Sequence, residues 1–211
     1  MALTVNGVIH GRDYHVDARY AGTVPWLGAV TDTKGGAEKG LYVVSLAKDP
    51  DSSEGAVFGC PIHLERIQAW LDARPELTLH GKRPSSAELA QFVARWWIPD
   101  EHVLYIGRTG DSLRTRVHAY YKTMLGADGP HAGGSFLKTL GCLDRLYVHL
   151  YVGSGDQASE HMALLNFHRA LSEASRQSIP AAQHQLPFAN LRWPEGTSKA
   201  AELKDWKGPL S

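Results

Sequence analysis

The order of extended and helical segments in this chain predicts a small α+β domain built on three strands. Three observations carry that expectation. The run "GLYVVSL" (Gly40 to Leu46) is β-rich and bounded on both sides by turn compositions, "TDTKGGAEKG" and "KDPDSSEG". The run "HVLYIG" passes at once into "RTGDSLRTRVHAYYKTML", in which Leu113, Val117, Tyr121 and Met124 fall on one helical stripe. In "RLYVHLYV", Leu146, Val148, Leu150 and Val152 alternate with Tyr147, His149 and Tyr151, the period-2 pattern of a half-buried strand.

Helices are expected between and after these strands. One spans about Ile62 to Ala73 and is stopped by Pro75. A second begins at Ser85, where Ser85-Ser86-Ala87-Glu88 fits a capping box, and runs to about Trp97 ahead of Pro99, with Trp96 and Trp97 packing on the core. The helix after the second strand opens at Asp111 or Ser112. The stretch from Gly126 to Gly134 reads as a loop, and Asp156 to Ser175 as a helix. The chain therefore divides into an N-terminal extension (1–39), a main domain (40–193) carrying a helical insertion (47–102), and a polar C-terminal tail (194–211) expected on the surface.

Composition narrows the class. The 211 residues, 43% of them hydrophobic, are enough for one sizeable core. No apolar run is long enough to span a bilayer. The start, "MALTVNGVIHGRDYHV", lacks the basic and apolar regions of a signal peptide. Two cysteines, Cys60 and Cys142, are too few for a disulfide framework and suit a reducing cytoplasm. Net charge is zero, but it is unevenly spread. Between Val103 and Leu125, Arg108, Arg114, Arg116 and Lys122 stand against Asp111, a net of +3, whereas Lys48 to Glu101 carries six basic and nine acidic residues, a net of −3. A polyanion site is expected with the first stretch.

Several motifs are set aside. Gly129 to Gly134 has the spacing of a phosphate-binding loop, but Ser135 stands where Lys is needed. His161 and His168 are seven residues apart with no glutamate between them, unlike a zinc-protease helix. Cys60 and His63 make a single Cys-x-x-His pair with no second pair to complete a zinc site.

What remains is a set in order along the chain: Gly40-Leu41-Tyr42, Tyr105-Ile106-Gly107, the arginine-bearing helix "LRTRVHAYY", Glu160 opening a late helix, and Asn190 in "LPFANLRWP". This set resembles the GIY-YIG nuclease family over residues 40–46 and 103–191. Leu41 stands where the family has Ile. The 63 residues separating Tyr42 from Tyr105 far exceed the usual hairpin connection.

The resemblance implies a small three-stranded antiparallel sheet flanked by helices and a metal-dependent endonuclease acting on nucleic acid, with DNA as the first expectation. Tyr42 is then the phenol that helps deprotonate the attacking water. Free tyrosine titrates near ~10, so a cation must assist, and Arg108 is expected to help. Many relatives carry Lys near that position. Arginine cannot act as a base at neutral pH, so a lysine relay is not available here. Arg116 is expected to grip the scissile phosphate bidentately. Glu160 is expected to hold one hard cation, Mg²⁺ or Mn²⁺, whose other ligands are waters. Tyr105 is expected to stand beside the nucleophile. Tyr120, one turn beyond Arg116, His118, His131 and Asn190 are expected substrate or loop contacts. The insertion leaves and returns at one sheet edge and is expected to restrict the cleft, for instance to single strands or flaps.

Two rival readings are carried: a nucleic-acid-binding module that kept the fold without turnover, and a metal-independent hydrolase using His118 or His131 as base.

Overall fold

Four strands, not three, form the main sheet. In the computed structural model, which describes residues 3–27, 38–127, 132–178, 185–193 and 198–206, strands β1 (Ala18–Pro25), β2 (Gly40–Ser45), β4 (Val103–Thr109) and β5 (Tyr147–Gly153) lie in the order β1-β5-β2-β4. Every neighbouring pair is antiparallel. The additional strand is β1, from the N-terminal extension. Its register shifts between Tyr20 and Gly22, and Pro25 ends it. An edge strand tolerates both features, and together they erase the alternation that would mark it in sequence.

Pairing on both sides changes the burial expected for β5. His149 and Tyr151 are buried rather than solvated. Nε2 of His149 donates to the carbonyl of Ala47 (3.0 Å), and its Nδ1 accepts from the Thr23 hydroxyl (2.7 Å). A second buried histidine is held the same way: His102 Nε2 donates to the Leu3 carbonyl (3.0 Å), and Ser45 Oγ donates to its Nδ1 (2.8 Å). Strand β2, between β5 and β4, is buried at all six positions.

The insertion contains α2 (Leu64–Ala73) and α3 (Ser86–Ala94), packed on each other, and the capping box at Ser85 and Glu88 is formed. Trp96 and Trp97 are in the core. Between the two helices, β3 (Thr78–Leu79) pairs with β6 (Leu203–Lys204), so the described part of the tail, 198–206, is tied into the fold and does not fray from its surface. Leu203 and Trp206 are buried, and the Trp70 indole donates to the Trp206 carbonyl (2.9 Å). Here two apolar residues outweigh a polar composition, because the insertion offers them a surface to cover.

The helix α4 (Leu113–Lys122) is capped by Ser112 and packs on β2 and β4. Its buried stripe is Leu113, Val117 and Tyr120; Met124, placed on that stripe by periodicity, lies past the helix end and is 77% exposed. Helix α5 (Ala132–Lys138) begins inside the expected loop. The late helix is broken into α6 (Gln157–Ala170) and α7 (Glu173–Gln177), because Leu171 is extended and Ser172 caps a new start. α6 packs against β4 and against α1 (Val5–Ile9), where Asn166 Nδ2 donates to the carbonyls of Val8 and Tyr14. Among the described residues no helix is long and apolar enough to cross a membrane.

Candidate functional site

The two tyrosine-glycine strands meet in one register. β2 and β4 pair so that Tyr42 faces Gly107, Leu41 faces Arg108, and Val44 faces Tyr105. Tyr42 and Tyr105 are thus diagonal neighbours on one face of the sheet, with ring centroids 5.7 Å apart. α4 covers this face. Tyr120 stacks on Tyr105 (4.8 Å, 21°) and meets Tyr42 edge-on (6.1 Å); Trp26 closes its far side (5.5 Å). Tyr120 is buried, so its principal surroundings are three aromatic rings rather than solvent.

Arg116 stands one turn before Tyr120 on α4 and directs its charge at Tyr42. Burial pushes the Tyr42 phenol above the ordinary tyrosine range. The Arg116 guanidinium and the Tyr105 hydroxyl pull it back without cancelling the burial, and the Glu160 charge adds to the upward push. Neither neighbour is well aligned, however. The Tyr42 hydroxyl and Nε of Arg116 are both buried with no well-formed hydrogen bond among the described residues. Such polar groups are costly in a core and are tolerated where a ligand is to be met. Burial likewise holds the Tyr105 and Tyr120 hydroxyls well above the ordinary range.

Glu160 enters from α6, whose N-cap is Asp156, its carboxylate accepting from the Ser159 amide (2.8 Å). Burial raises the Glu160 carboxyl, and Arg108 followed by Arg116 lowers it. Arg108 is its direct partner, Nε to Oε2 at 3.2 Å. This corrects the expectation that Arg108 assists Tyr42. On a pleated strand Arg108 leaves the face opposite Tyr105 and Gly107, so the cation acting on Tyr42 is Arg116.

Asn190 is fully engaged by backbone. Its Nδ2 donates to the Ile106 carbonyl (2.7 Å), and its Oδ1 accepts from the Ile106 amide (2.8 Å). β4 is an edge strand, and this amide completes its open side together with the Ala189 amide on the Leu104 carbonyl (2.8 Å). Lys199 Nζ in turn donates to the Leu186 and Pro187 carbonyls (3.1 and 2.8 Å), tying that segment down. Asn190 therefore supports the strand that carries Tyr105 and does not reach for substrate. His118 has no hydrogen bond, ion pair or ring contact among the described residues, and it lies off the face shared by Arg116 and Tyr120. His131 lies outside the described residues.

Sequence reasoning missed Trp26, which no motif marks, and the partnership of Arg108 with Glu160. The alternation of Tyr105, Gly107 against Ile106, Arg108 was the available signal for the second.

Tyr42, Tyr105 and Tyr120 thus gather on one face of β2 and β4 with Arg116 acting on Tyr42, and the Arg108–Glu160 pair stands near enough for the Glu160 charge to be felt by Tyr42 and Arg116. Among the described residues no three His, Cys, Asp or Glu side chains gather to cage a metal. Glu160 is the carboxylate of this site that would hold a cation, and its side chain is 24% exposed, which would suit a hard ion that keeps most of its waters. A groove of about 600 Å³ lies elsewhere, on the insertion, lined by His80, Arg83, Phe92 and Arg95. Comparison with protein-family models, curated proteins and solved structures finds no match to this chain.

Proposed function

We propose that this chain is a metal-dependent endonuclease of the GIY-YIG type, hydrolysing phosphodiester bonds in nucleic acid, DNA in the first instance, in the cytoplasm. The observation that carries the reading is convergence. Tyr42, Arg116 and Glu160 come from three elements, a strand and two helices, yet the Arg116 and Glu160 charges both reach the Tyr42 phenol and each other.

In this reading Arg116 holds the non-bridging oxygens of the scissile phosphate and stabilises the charge that develops on them. Tyr42 lies beside it and, as the phenolate that the Arg116 charge favours, takes the proton leaving the attacking water as the new phosphorus–oxygen bond forms, and gives that proton up to solvent between turnovers. The phosphorus–oxygen bond to the leaving alkoxide breaks, and solvent supplies that alkoxide's proton. A Mg²⁺ or Mn²⁺ on Glu160 supplies Lewis acidity toward the phosphate. Tyr105 and Tyr120, stacked on each other, pack together against one side of the Tyr42 ring.

One observation favours the second reading, a nucleic-acid-binding module without turnover: Tyr42 is fully buried and its phenol is harder to ionise than free tyrosine. The two readings separate in one experiment. End-labelled single-stranded, double-stranded and flapped DNA and one RNA are incubated with Mg²⁺ or Mn²⁺, with chelator, and with Glu160→Ala. Metal-dependent cutting lost in the variant supports the nuclease. Salt-sensitive binding that survives chelator with no cutting of any substrate supports the module.

A further inference from the structure

We propose that Arg108 occupies the cation position at Glu160, so that binding of a divalent ion and release of Arg108 are a single exchange. The inference deepens the nuclease reading and rests on it. The pair is built from two directions. Arg108 rises from the face of β4 opposite Tyr42 and Arg116, places Nε 3.2 Å from Oε2 of Glu160, and points Nη1 at the Gly155 carbonyl (3.5 Å). Gly155 holds that carbonyl in place. Its φ is +62°, and a Cβ there would meet the Thr109 carbonyl oxygen at 2.0 Å, so the loop before α6 sits directly on the end of β4.

The neighbouring Asp156 lies within the influence of Arg108 and accepts the Ser159 amide on Oδ1 as the cap of α6. At Glu160 an incoming ion meets a carboxylate already paired with an arginine. Both partners are partly open to solvent, at 39% and 24%, so the guanidinium can be displaced without opening the core.

The test is Mn²⁺ binding to the whole chain without substrate, read as the loss of the free-ion electron paramagnetic resonance signal at fixed ionic strength. Arg108→Gln is expected to tighten binding roughly three- to fivefold, the worth of a partly exposed ion pair removed as competitor. Arg108→Met, which keeps the apolar stem, is expected to do the same and guards against a folding defect in the first variant. Glu160→Gln is expected to abolish binding, while Lys122→Gln, which removes an exposed charge from α4, is expected to change it less than about twofold because solvent and salt screen it. Equal or weaker binding in both Arg108 variants, with binding still lost in Glu160→Gln, overturns the exchange and leaves the nuclease reading standing. Absence of binding in the wild type and in both Arg108 variants overturns the two together.

Discussion

The Tyr42 ring fills the space that a side chain on Gly107 would need. A Cβ at that position would stand 2.6 Å from Cζ of Tyr42, 2.7 Å from its hydroxyl and 2.5 Å from Cε1 of Tyr105. Gly107 is not there for its backbone angles, since it is an ordinary member of β4. It is there because two rings cross over it. Gly107→Ala is therefore expected to destabilise the fold by about 1–3 kcal/mol through overpacking, and to abolish cleavage by moving Tyr42. Chemical denaturation and a cleavage assay on the same preparation check both; an alanine variant with wild-type stability would mean that the rings have room to move.

Tyr42→Phe separates function from stability. The hydroxyl it removes is buried without a well-formed hydrogen bond among the described residues, so stability is expected to hold or to rise by up to about 1 kcal/mol. Cleavage is expected to fall at least roughly 100-fold, the usual worth of a proton-transfer group. A phenylalanine variant that cuts normally removes Tyr42 from the chemistry.

Arg116→Ala is expected to lose about 3 kcal/mol of transition-state stabilisation, a rate loss on the order of 100-fold, with a smaller effect on substrate affinity. Single-turnover rates and binding in chelator give the two quantities separately. An effect on affinity alone would make Arg116 a tether.

Asn190→Ala strands both backbone groups of Ile106 in a buried setting and is expected to cost about 2–4 kcal/mol, from two unmet partners. Asn190→Asp keeps the acceptor and loses the donor, so it should fall between. Urea midpoints at constant slope measure both. A cost near zero would show that water reaches the β4 edge.

Acid should weaken the fold through His149. Burial holds its imidazole at about 4 against 6.5 for the free side chain, so the unfolded chain takes up this proton first. The neutral form therefore contributes its full stability above about pH 6.5. That contribution falls as pH drops, and levels off below about pH 4, with a limiting loss of about 3 kcal/mol. His102, also lowered by burial, acts in the same direction. Unfolding midpoints between pH 4 and 7.5 test this, and His149→Gln should flatten part of the slope.

Local pattern alone located the strands at 40–46 and 102–107, the second of which runs on to Thr109 in the structure, the cap at Ser85, the helix after Ser112, and the polar residues worth testing. These are matters of neighbours in sequence, where periodicity and capping chemistry act directly. It misjudged Met124, Tyr151 and the tail, whose burial depends on what lies across from them. Helix α4 ends before Met124, β1 covers β5, and the insertion receives Trp206.

The same division holds at the site. Residue type and order were enough to single out Tyr42, Tyr105, Arg116 and Glu160, because a phenol, an arginine and a carboxylate carry their chemistry wherever they stand. Which cation serves which group was decided only by tertiary structure. The strand pleat turns Arg108 away from Tyr42 and toward Glu160, α4 brings Arg116 to the phenol instead, and the open edge of β4 claims Asn190 for its backbone. Pairing of this kind depends on distance and direction between elements remote in sequence, and the antiparallel register of β2 with β4 is what sets both.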